Sequence, residues 1–96
     1  MATVYIPALM QHLTGGADQV EVAVPAGERI TVRQLLEAAG RQHAGLLDAL
    51  LYEDDLVPHL AIFIDNDQAL MGLRAKLNHD SEVRLLPPIV GGEGEI

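Results

Sequence analysis

One helix signature stands in a chain that is otherwise patterned for strands. Thr31 is followed three residues later by Gln34, which is the pairing of a capping box at the start of a helix. Behind it, Val32, Leu35 and Ala39 recur at helical spacing and form a single apolar stripe. A helix with one apolar stripe has to be covered on that side, and the flanking segments offer strands. The sequence therefore predicts a sheet crossed by one main helix, which we expect to end at Gly40 or Gly45.

The first part of the chain predicts a hairpin. In residues 3–9, Val4, Ile6 and Ala8 alternate with Thr3, Tyr5 and Pro7, which is the period-2 pattern of a strand. Pro7 favours a sheet edge or a bulge. Residues 14–18 have the composition of a turn, and Val20, Val22 and Val24 then form the second strand. Strands joined in this way pair antiparallel.

The second half predicts the rest of the sheet. Residues 46–51 form a mainly apolar stretch that we expect in the core or as a flap on it, and its pattern does not decide between helix and strand. Residues 52–55 predict a polar loop. Residues 60–64 predict a central strand buried on both faces, followed by a turn at 65–68 and a return strand around 69–71. After a turn at 78–81, the last strand, 82–86, is expected to lie parallel beside the first. The prediction is an α+β roll with a mixed sheet of four to five strands.

Composition excludes several classes of protein. The 96 residues make one domain, and the chain has no cysteine, which rules out disulfides, a cysteine nucleophile and an iron–sulfur cluster. Fourteen acidic residues against six basic ones give a net charge of −8, so nucleic acid and anionic membranes are not expected as partners. The sequence has neither a signal-peptide pattern nor an apolar stretch of bilayer length, and we expect a cytoplasmic protein.

The residues that could bind metal or phosphate do not form a recognisable motif. The four histidines lack metal-ligand spacing, the acidic groups at 53–55 and 65–67 lack EF-hand spacing, and Thr14-Gly15-Gly16 lacks the lysine of a phosphate loop. We expect surface and turn residues here, with no metal site. Tyr5 is expected to pack on the strand face or in the core. The histidines are His12, His43, His59 and His79.

The chain closes with a stiff segment that leads into paired glycines. Pro87 and Pro88 favour extended backbone, and six extended residues from Pro87 to Gly92 span about 20 Å. Gly91 and Gly92 lack Cβ, so this part of the tail suits a channel too narrow for side chains. Such a tail fits a protein whose working group is presented to the active site of another protein.

Four fragments together resemble the ubiquitin-like sulfur carriers of the MoaD, ThiS and CysO types. The resemblance covers the chain up to Gly92 and implies a β-grasp fold. The fragments are Ile6-Pro7-Ala8-Leu9, Leu13-Thr14-Gly15-Gly16, Phe63-Ile64-Asp65-Asn66 and the run Val83-Arg84-Leu85-Leu86-Pro87-Pro88-Ile89-Val90-Gly91-Gly92.

The resemblance also implies a chemical cycle on Gly92. An E1-like adenylating enzyme would activate its carboxyl with ATP and magnesium, a sulfur donor would convert it to a thiocarboxylate, and an acceptor synthase would take the sulfur. The protein would be a co-substrate without a bound cofactor or catalytic residues, or the small subunit of a synthase such as molybdopterin synthase. The resemblance further implies that partners dock on an apolar patch, for which Pro7, Leu85 and Leu86 are candidates by position.

The sequence departs from the family pattern after Gly92. Glu93-Gly94-Glu95-Ile96 would move the terminal carboxylate as much as about 14 Å further. We therefore hypothesise a pro-form that a JAMM-type metalloprotease cuts between Gly92 and Glu93. In this division residues 1–86 form the domain, 87–92 the tail and 93–96 a removable extension.

Two other functions remain open at this point. A ubiquitin-like modifier would use the same Gly92 to form isopeptide bonds with lysines of target proteins. An interaction module would keep the β-grasp fold and make no use of its glycines. Among carriers, molybdopterin, thiamine, cysteine and thiolated tRNA synthesis are all compatible with the sequence.

Overall fold

The computed structural model describes residues 1–58 and 60–87. The longer strands and the main helix in this part of the chain follow the order β, β, α, β, β, with short elements between them. The strands are β1 (Ala2–Tyr5), β2 (Gln19–Val22), β3 (Ile30–Thr31), β4 (Leu51–Tyr52), β5 (Asp55–Leu56), β6 (Ala61–Ile64), β7 (Asp67–Gln68), β8 (Lys76–Leu77) and β9 (Glu82–Leu86). The helices are α1 (Val32–Gln42), α2 (Leu46–Leu50) and the 3-10 helices Ala8–Thr14 and Gly72–Arg74.

Five strands form one mixed sheet in the order β2-β1-β9-β6-β7. β1 pairs antiparallel with β2 and parallel with β9, and β6 pairs antiparallel with both β9 and β7. Two small pairs, β3 with β8 and β4 with β5, lie outside this sheet. The predicted hairpin, the parallel central pair and the α+β β-grasp roll are confirmed.

The core lies between α1 and one face of the sheet. Val4, Val83, Leu35 and Leu36 are fully buried, as the helical and strand periodicities predict. The remaining buried apolar side chains are Ala2, Ile6, Val20, Val22, Val24, Val32, Ala39, Leu46, Leu50, Ile62, Leu73, Leu77 and Leu85.

The capping box at the start of α1 is confirmed. The backbone N–H of Gln34 donates to Thr31 Oγ1 at 3.1 Å, and the N–H of Thr31 donates to Gln34 Oε1 at 2.9 Å. These bonds satisfy backbone donors that the first helical turn leaves without partners. Both signals are local in sequence, which is why the pattern alone identified them.

The first strand is shorter than predicted. β1 ends at Tyr5, and Ala8–Thr14 form a 3-10 helix that closes at Gly15 in the left-handed conformation, with φ of 65°. Pro7 has no backbone N–H to donate to a ladder, and its φ of −60° instead precedes the helical turn. The alternating pattern at residues 3–9 therefore extends beyond the end of β1 and into the 3-10 helix.

The end of α1 also differs from the prediction. The helix continues through Gly40 to Gln42, and His43 is its C-cap. A Cβ on Gly40 would lie 3.0 Å from the Cβ of Leu47 in α2, so glycine allows the two helices to approach closely. Gly45, with φ of 91°, precedes α2 instead of ending α1.

Three predictions in the second half need correction. The polar loop at 52–55 is a hairpin of β4 and β5, whose turn residues Glu53 and Asp54 have φ of 52° and 69°. The return strand is β7 at Asp67–Gln68, because the turn is completed within Asp65 and Asn66. The strand predicted at 60–64 begins at Ala61 and is not buried on both faces, since only its core side is fully covered.

Within the described ranges, no helix combines the length and the apolar character that a bilayer span requires.

Candidate functional site

The predicted working end of the protein begins where β9 ends. Leu86 is the last residue of β9, and Pro87 follows it outside the strand. The rest of the predicted tail, Pro88, Ile89, Val90, Gly91 and Gly92, and the predicted cleavage bond between Gly92 and Glu93 lie outside the described residues. The site that the structure does describe is therefore the base of the tail and the surface around it.

The base of the tail is the middle strand of the sheet. β9 lies between β1 and β6 and is hydrogen-bonded to both. At its start, the N–H of Glu82 donates to Asp65 Oδ1 at 2.9 Å, and the N–H of Asp65 donates to the carbonyl oxygen of Glu82 at 2.8 Å. The tail is consequently attached to a strand that is held on both sides.

A row of side chains crosses the outer face of the sheet, which is the face opposite α1. Tyr5 of β1 pairs with Arg84 of β9, and Arg84 pairs with Phe63 of β6. The row continues to both edges, because Tyr5 also pairs with Gln19 and Phe63 with Gln68. Residues paired directly across neighbouring strands carry their side chains on the same face. Five strands thus contribute one residue each to the row Gln19–Tyr5–Arg84–Phe63–Gln68, which we call the outer row.

Arg84 is the centre of the outer row. Its guanidinium carbon lies 4.4 Å from the centroid of the Tyr5 ring, within the range of a cation–π contact. Its Nη1 is 3.6 Å from Glu82 Oε1, and both side chains are about half exposed. The guanidinium is therefore positioned by a ring and a carboxylate of its own sheet while remaining open to solvent.

A shallow apolar depression lies at the end of β9, beside the outer row. Its volume is about 260 Å³, and Pro7 and Leu86, two of the three predicted docking residues, help to line it. Leu86 is 57% exposed, whereas Leu85, the third candidate, is only 5% exposed and belongs to the core. Leu85 lines the floor of the depression and offers little area to a partner. The depression is lined by Tyr5, Ile6, Pro7, Phe63, Arg84, Leu85 and Leu86.

Sequence reasoning missed most of this surface. The expectation that Tyr5 packs on the strand face is confirmed, whereas Phe63, predicted in a strand buried on both faces, is half-buried in the outer row. Arg84 was considered only within the last strand. The alternation of Val83, Arg84 and Leu85 indicated that Arg84 faces outward. The register that brings it beside Tyr5 and Phe63 joins residues far apart in the chain, and no local pattern shows it.

A second depression, of about 490 Å³, lies at the start of α1. Arg33 Nη1 donates to the carbonyl oxygen of Asp54 at 3.0 Å, and its guanidinium also lies near the carboxylates of Glu37 and Asp54. This charge cluster ties α1 to the β4–β5 hairpin. Exposed pairs of this kind contribute little stability individually, but they fix the position of the hairpin.

The histidines that the structure describes belong to three different elements. His12 is in the first 3-10 helix, His43 caps α1, and His79 lies in the turn before β9, where its Nε2 is 3.3 Å from Asp80 Oδ2. Across residues 1–58 and 60–87, no three histidine, aspartate or glutamate side chains gather as a metal ion would require.

Solved structures share this fold over nearly the whole chain. A CysO protein of Amycolatopsis orientalis, solved in complex with BexX, is 26% identical with a TM-score of 0.83, covering 96% of this chain and 100% of its own. The small archaeal modifier protein 1 of Haloferax volcanii is 21% identical with a TM-score of 0.74, covering 92% and 97%. A putative molybdopterin converting factor subunit 1 of Pyrococcus furiosus is 22% identical with a TM-score of 0.66, also covering 92% and 97%. No protein-family model and no curated protein sequence matches the chain.

The order of strands, the single crossing helix and the tail that leaves the middle strand define a ubiquitin-like β-grasp protein. Within that class, the chain resembles the ubiquitin-like sulfur carriers, to which the CysO, modifier and molybdopterin-converting-factor neighbours belong. The coarse function that these neighbours support is that of a carrier or modifier, which works with partner proteins.

Proposed function

We propose that this protein is a sulfur carrier whose Gly92, after removal of residues 93–96, is charged as a thiocarboxylate. The observation that carries the proposal is the origin of the tail. The Pro87–Gly92 segment continues from the middle strand of a sheet whose structural match to a CysO protein has a TM-score of 0.83. Leu86, the last residue of that strand, lines the apolar depression, so a docking surface is present where the tail begins in the chain.

The proposed cycle begins with activation, because a carboxylate is a poor electrophile. An E1-like adenylating enzyme joins the Gly92 carboxylate to the α-phosphate of ATP, with magnesium, and releases pyrophosphate. A sulfur donor then delivers a hydrosulfide equivalent to the acyl carbon, so that a carbon–sulfur bond forms and the bond to AMP breaks. No electrons are gained or lost at the acyl carbon in either step. The chain itself supplies the tail and the docking surface, and the chemistry belongs to its partners.

The charged tail then gives its sulfur to an acceptor synthase in the biosynthesis of a cofactor, an amino acid or another metabolite. The likeness to a molybdopterin converting factor subunit supports a role as the small subunit of such a synthase. The likeness to small archaeal modifier proteins supports a second candidate, in which the activated Gly92 is captured by lysines of target proteins.

Removal of the extension is part of the proposal. Residues 93–96 place two carboxylates close to where ATP phosphates would bind, and like charges repel strongly in a water-poor site. A JAMM-type metalloprotease that cuts after Gly92 would remove them. Three glycines at positions 91, 92 and 94 leave the backbone accessible to a narrow protease groove.

The test is the intact mass of the protein isolated from its native cells. We expect loss of residues 93–96 together with replacement of one oxygen by sulfur. Covalent attachment to lysines of other proteins would favour the modifier instead. An unaltered full-length mass under all growth conditions would contradict both. A gene with a stop codon after Gly92 is the matched control, since its product should be charged without any trimming.

A further inference from the structure

The outer face of the sheet is graded along the direction of β9. At the start of β9, Glu82 pairs with Thr3, which pairs with Glu21, so this row is acidic. The outer row with Arg84 comes next. At the end of β9, Leu86 pairs with Ala61.

With Pro7 at the same depression, this last row is apolar and adjoins the tail. From the end of β9 back to its start, the outer face therefore presents an apolar row, then a cation and then carboxylates.

Arg84 is the feature of this face that a partner can read most specifically. On the described strands of the five-stranded sheet it is the only cation, whereas Glu21, Asp67 and Glu82 carry negative charge. Glu82 approaches only one guanidinium nitrogen at 3.6 Å, and half-exposed pairs of this kind are weak. Since a guanidinium has five N–H donors in a fixed planar fork, Arg84 retains donors for a second carboxylate.

We propose that Arg84 is a specificity residue, which binds a carboxylate on the protein partner that receives the tail. The inference rests on the proposed function and names the chemistry of the partner surface. That surface places an apolar side chain in the depression beside Leu86 and Pro7, an aspartate or glutamate opposite Arg84, and basic or polar groups opposite Glu21 and Glu82.

The charge pattern explains why a single cation matters on an acidic protein. With a net charge of −8, the chain attracts any basic surface at long range. A uniformly basic surface would, however, place a like charge against Arg84, which disfavours the wrong partner or the wrong register. The stacking on Tyr5 limits the motion of the guanidinium, so less side-chain entropy is lost when a carboxylate binds it.

The experiment compares three variants as substrates for adenylation. The mature form ending at Gly92 retains the buried core residues that the structure describes within 1–58 and 60–87, which lie between Ala2 and Leu85. The activating enzyme is purified from the native cells by its ability to support ATP–pyrophosphate exchange with this protein. The variants are Arg84→Glu, Arg84→Met, which keeps a long stem over Tyr5, and Arg29→Glu, which makes the same charge change at an exposed loop residue before β3.

We expect Arg84→Glu to raise the KM for the carrier roughly 10- to 100-fold with kcat nearly unchanged, because close interfacial charge pairs are strongly coupled. Arg84→Met should raise KM by about 3- to 10-fold and Arg29→Glu by less than about 2-fold. A role in folding alone would lower the thermal unfolding midpoint of both Arg84 variants and leave KM unchanged for the folded fraction.

The outcomes separate this inference from the proposed function. If the wild-type protein is adenylated and Arg84→Glu has the same KM, the Arg84 inference is overturned and the carrier function stands. An equal rise in KM for Arg29→Glu and Arg84→Glu would also overturn it, since the effect would then come from net charge. If no fraction of the cell extract adenylates the wild-type protein, the proposed function itself fails and the inference with it.

Discussion

Successive residues of each strand point to opposite faces of the five-stranded sheet, and the two faces differ in burial and polarity. On the inner face, Val4 pairs with Val20 and Val83, and this row is buried under α1. One position further along, Tyr5 and Arg84 face outward in the outer row. Neighbouring residues of one strand thus determine stability and recognition separately. Substitutions one residue apart should therefore have effects of different kinds.

The largest expected effect is at the tail, which follows the last buried core residue that the structure describes, Leu85. Gly92→Val should abolish charging, because a branched side chain would not enter a channel that fits glycine. The free energy of unfolding should stay within about 0.5 kcal/mol of wild type, since the described core ends at Leu85 and substitutions away from a core rarely exceed that. Intact mass after incubation with the activating enzyme measures the first quantity and urea denaturation the second. Normal charging of this variant would refute the narrow-channel argument.

Leu85 and Leu86 test the comparison on adjacent residues of β9. Leu85→Ala removes a buried side chain and should destabilise the fold by about 2–5 kcal/mol. Leu86→Ala, at a 57% exposed position, should change stability by less than about 0.5 kcal/mol and weaken docking several-fold. Urea denaturation and the KM for the carrier distinguish the two. Equal destabilisation by both variants would mean that Leu86 is covered in solution.

Gly40→Ala tests the close packing of α1 against α2. The new Cβ would lie 3.0 Å from the Cβ of Leu47, an atom close to the backbone that moves only with α2. Overpacking costs about 1–3 kcal/mol, against a gain of about 1 kcal/mol in helix propensity, so we expect a net loss of about 1 kcal/mol. Charging should not change. A gain in stability, measured by urea denaturation, would show that α2 can shift away from α1 without penalty.

The smallest expected effect is at the capping box. Thr31→Ala removes the acceptor for the Gln34 N–H and should cost about 1 kcal/mol. Thr31→Ser is the matched control, because it keeps the hydroxyl and should restore most of the stability. If thermal denaturation finds both variants equal to wild type, the first turn of α1 is held by packing alone.

These elements also show what the sequence could predict. The capping box was predictable because it depends on neighbours within a few residues. The pairing of β1 with β2 and the place of β9 beside β1 were predictable because chain order and crossover handedness leave few alternatives. The hairpin at Glu53 and Asp54 was not, since two acidic residues with positive φ replace the glycine or asparagine that signals such a turn. Ala8 and Leu9 were wrongly predicted as strand because the alternation continues past Pro7, whose effect on the ladder is stronger than that of the pattern.

For the site, the tail and the docking role of Pro7, Leu85 and Leu86 stay predictions from the sequence. The structure shows how exposed these three residues are: Leu86 is exposed, Pro7 is partly exposed and Leu85 is buried, because the parity of a strand is fixed only by which face meets the helix. The pairing of Arg84 with Tyr5 and Phe63 depends on the registers of three strands that are far apart in the chain. Those registers result from packing of the whole sheet, and the sequence contains no local signal for them.

The central place of β9 has a mechanical consequence. A partner that grips the tail and pulls along it applies force to a strand bonded to β1 on one side and β6 on the other. When the pull runs along the axis of β9, it loads the hydrogen bonds to both neighbours in shear. These bonds then have to break together instead of opening one at a time from an end. The domain should therefore resist mechanical unfolding when a partner pulls on the tail.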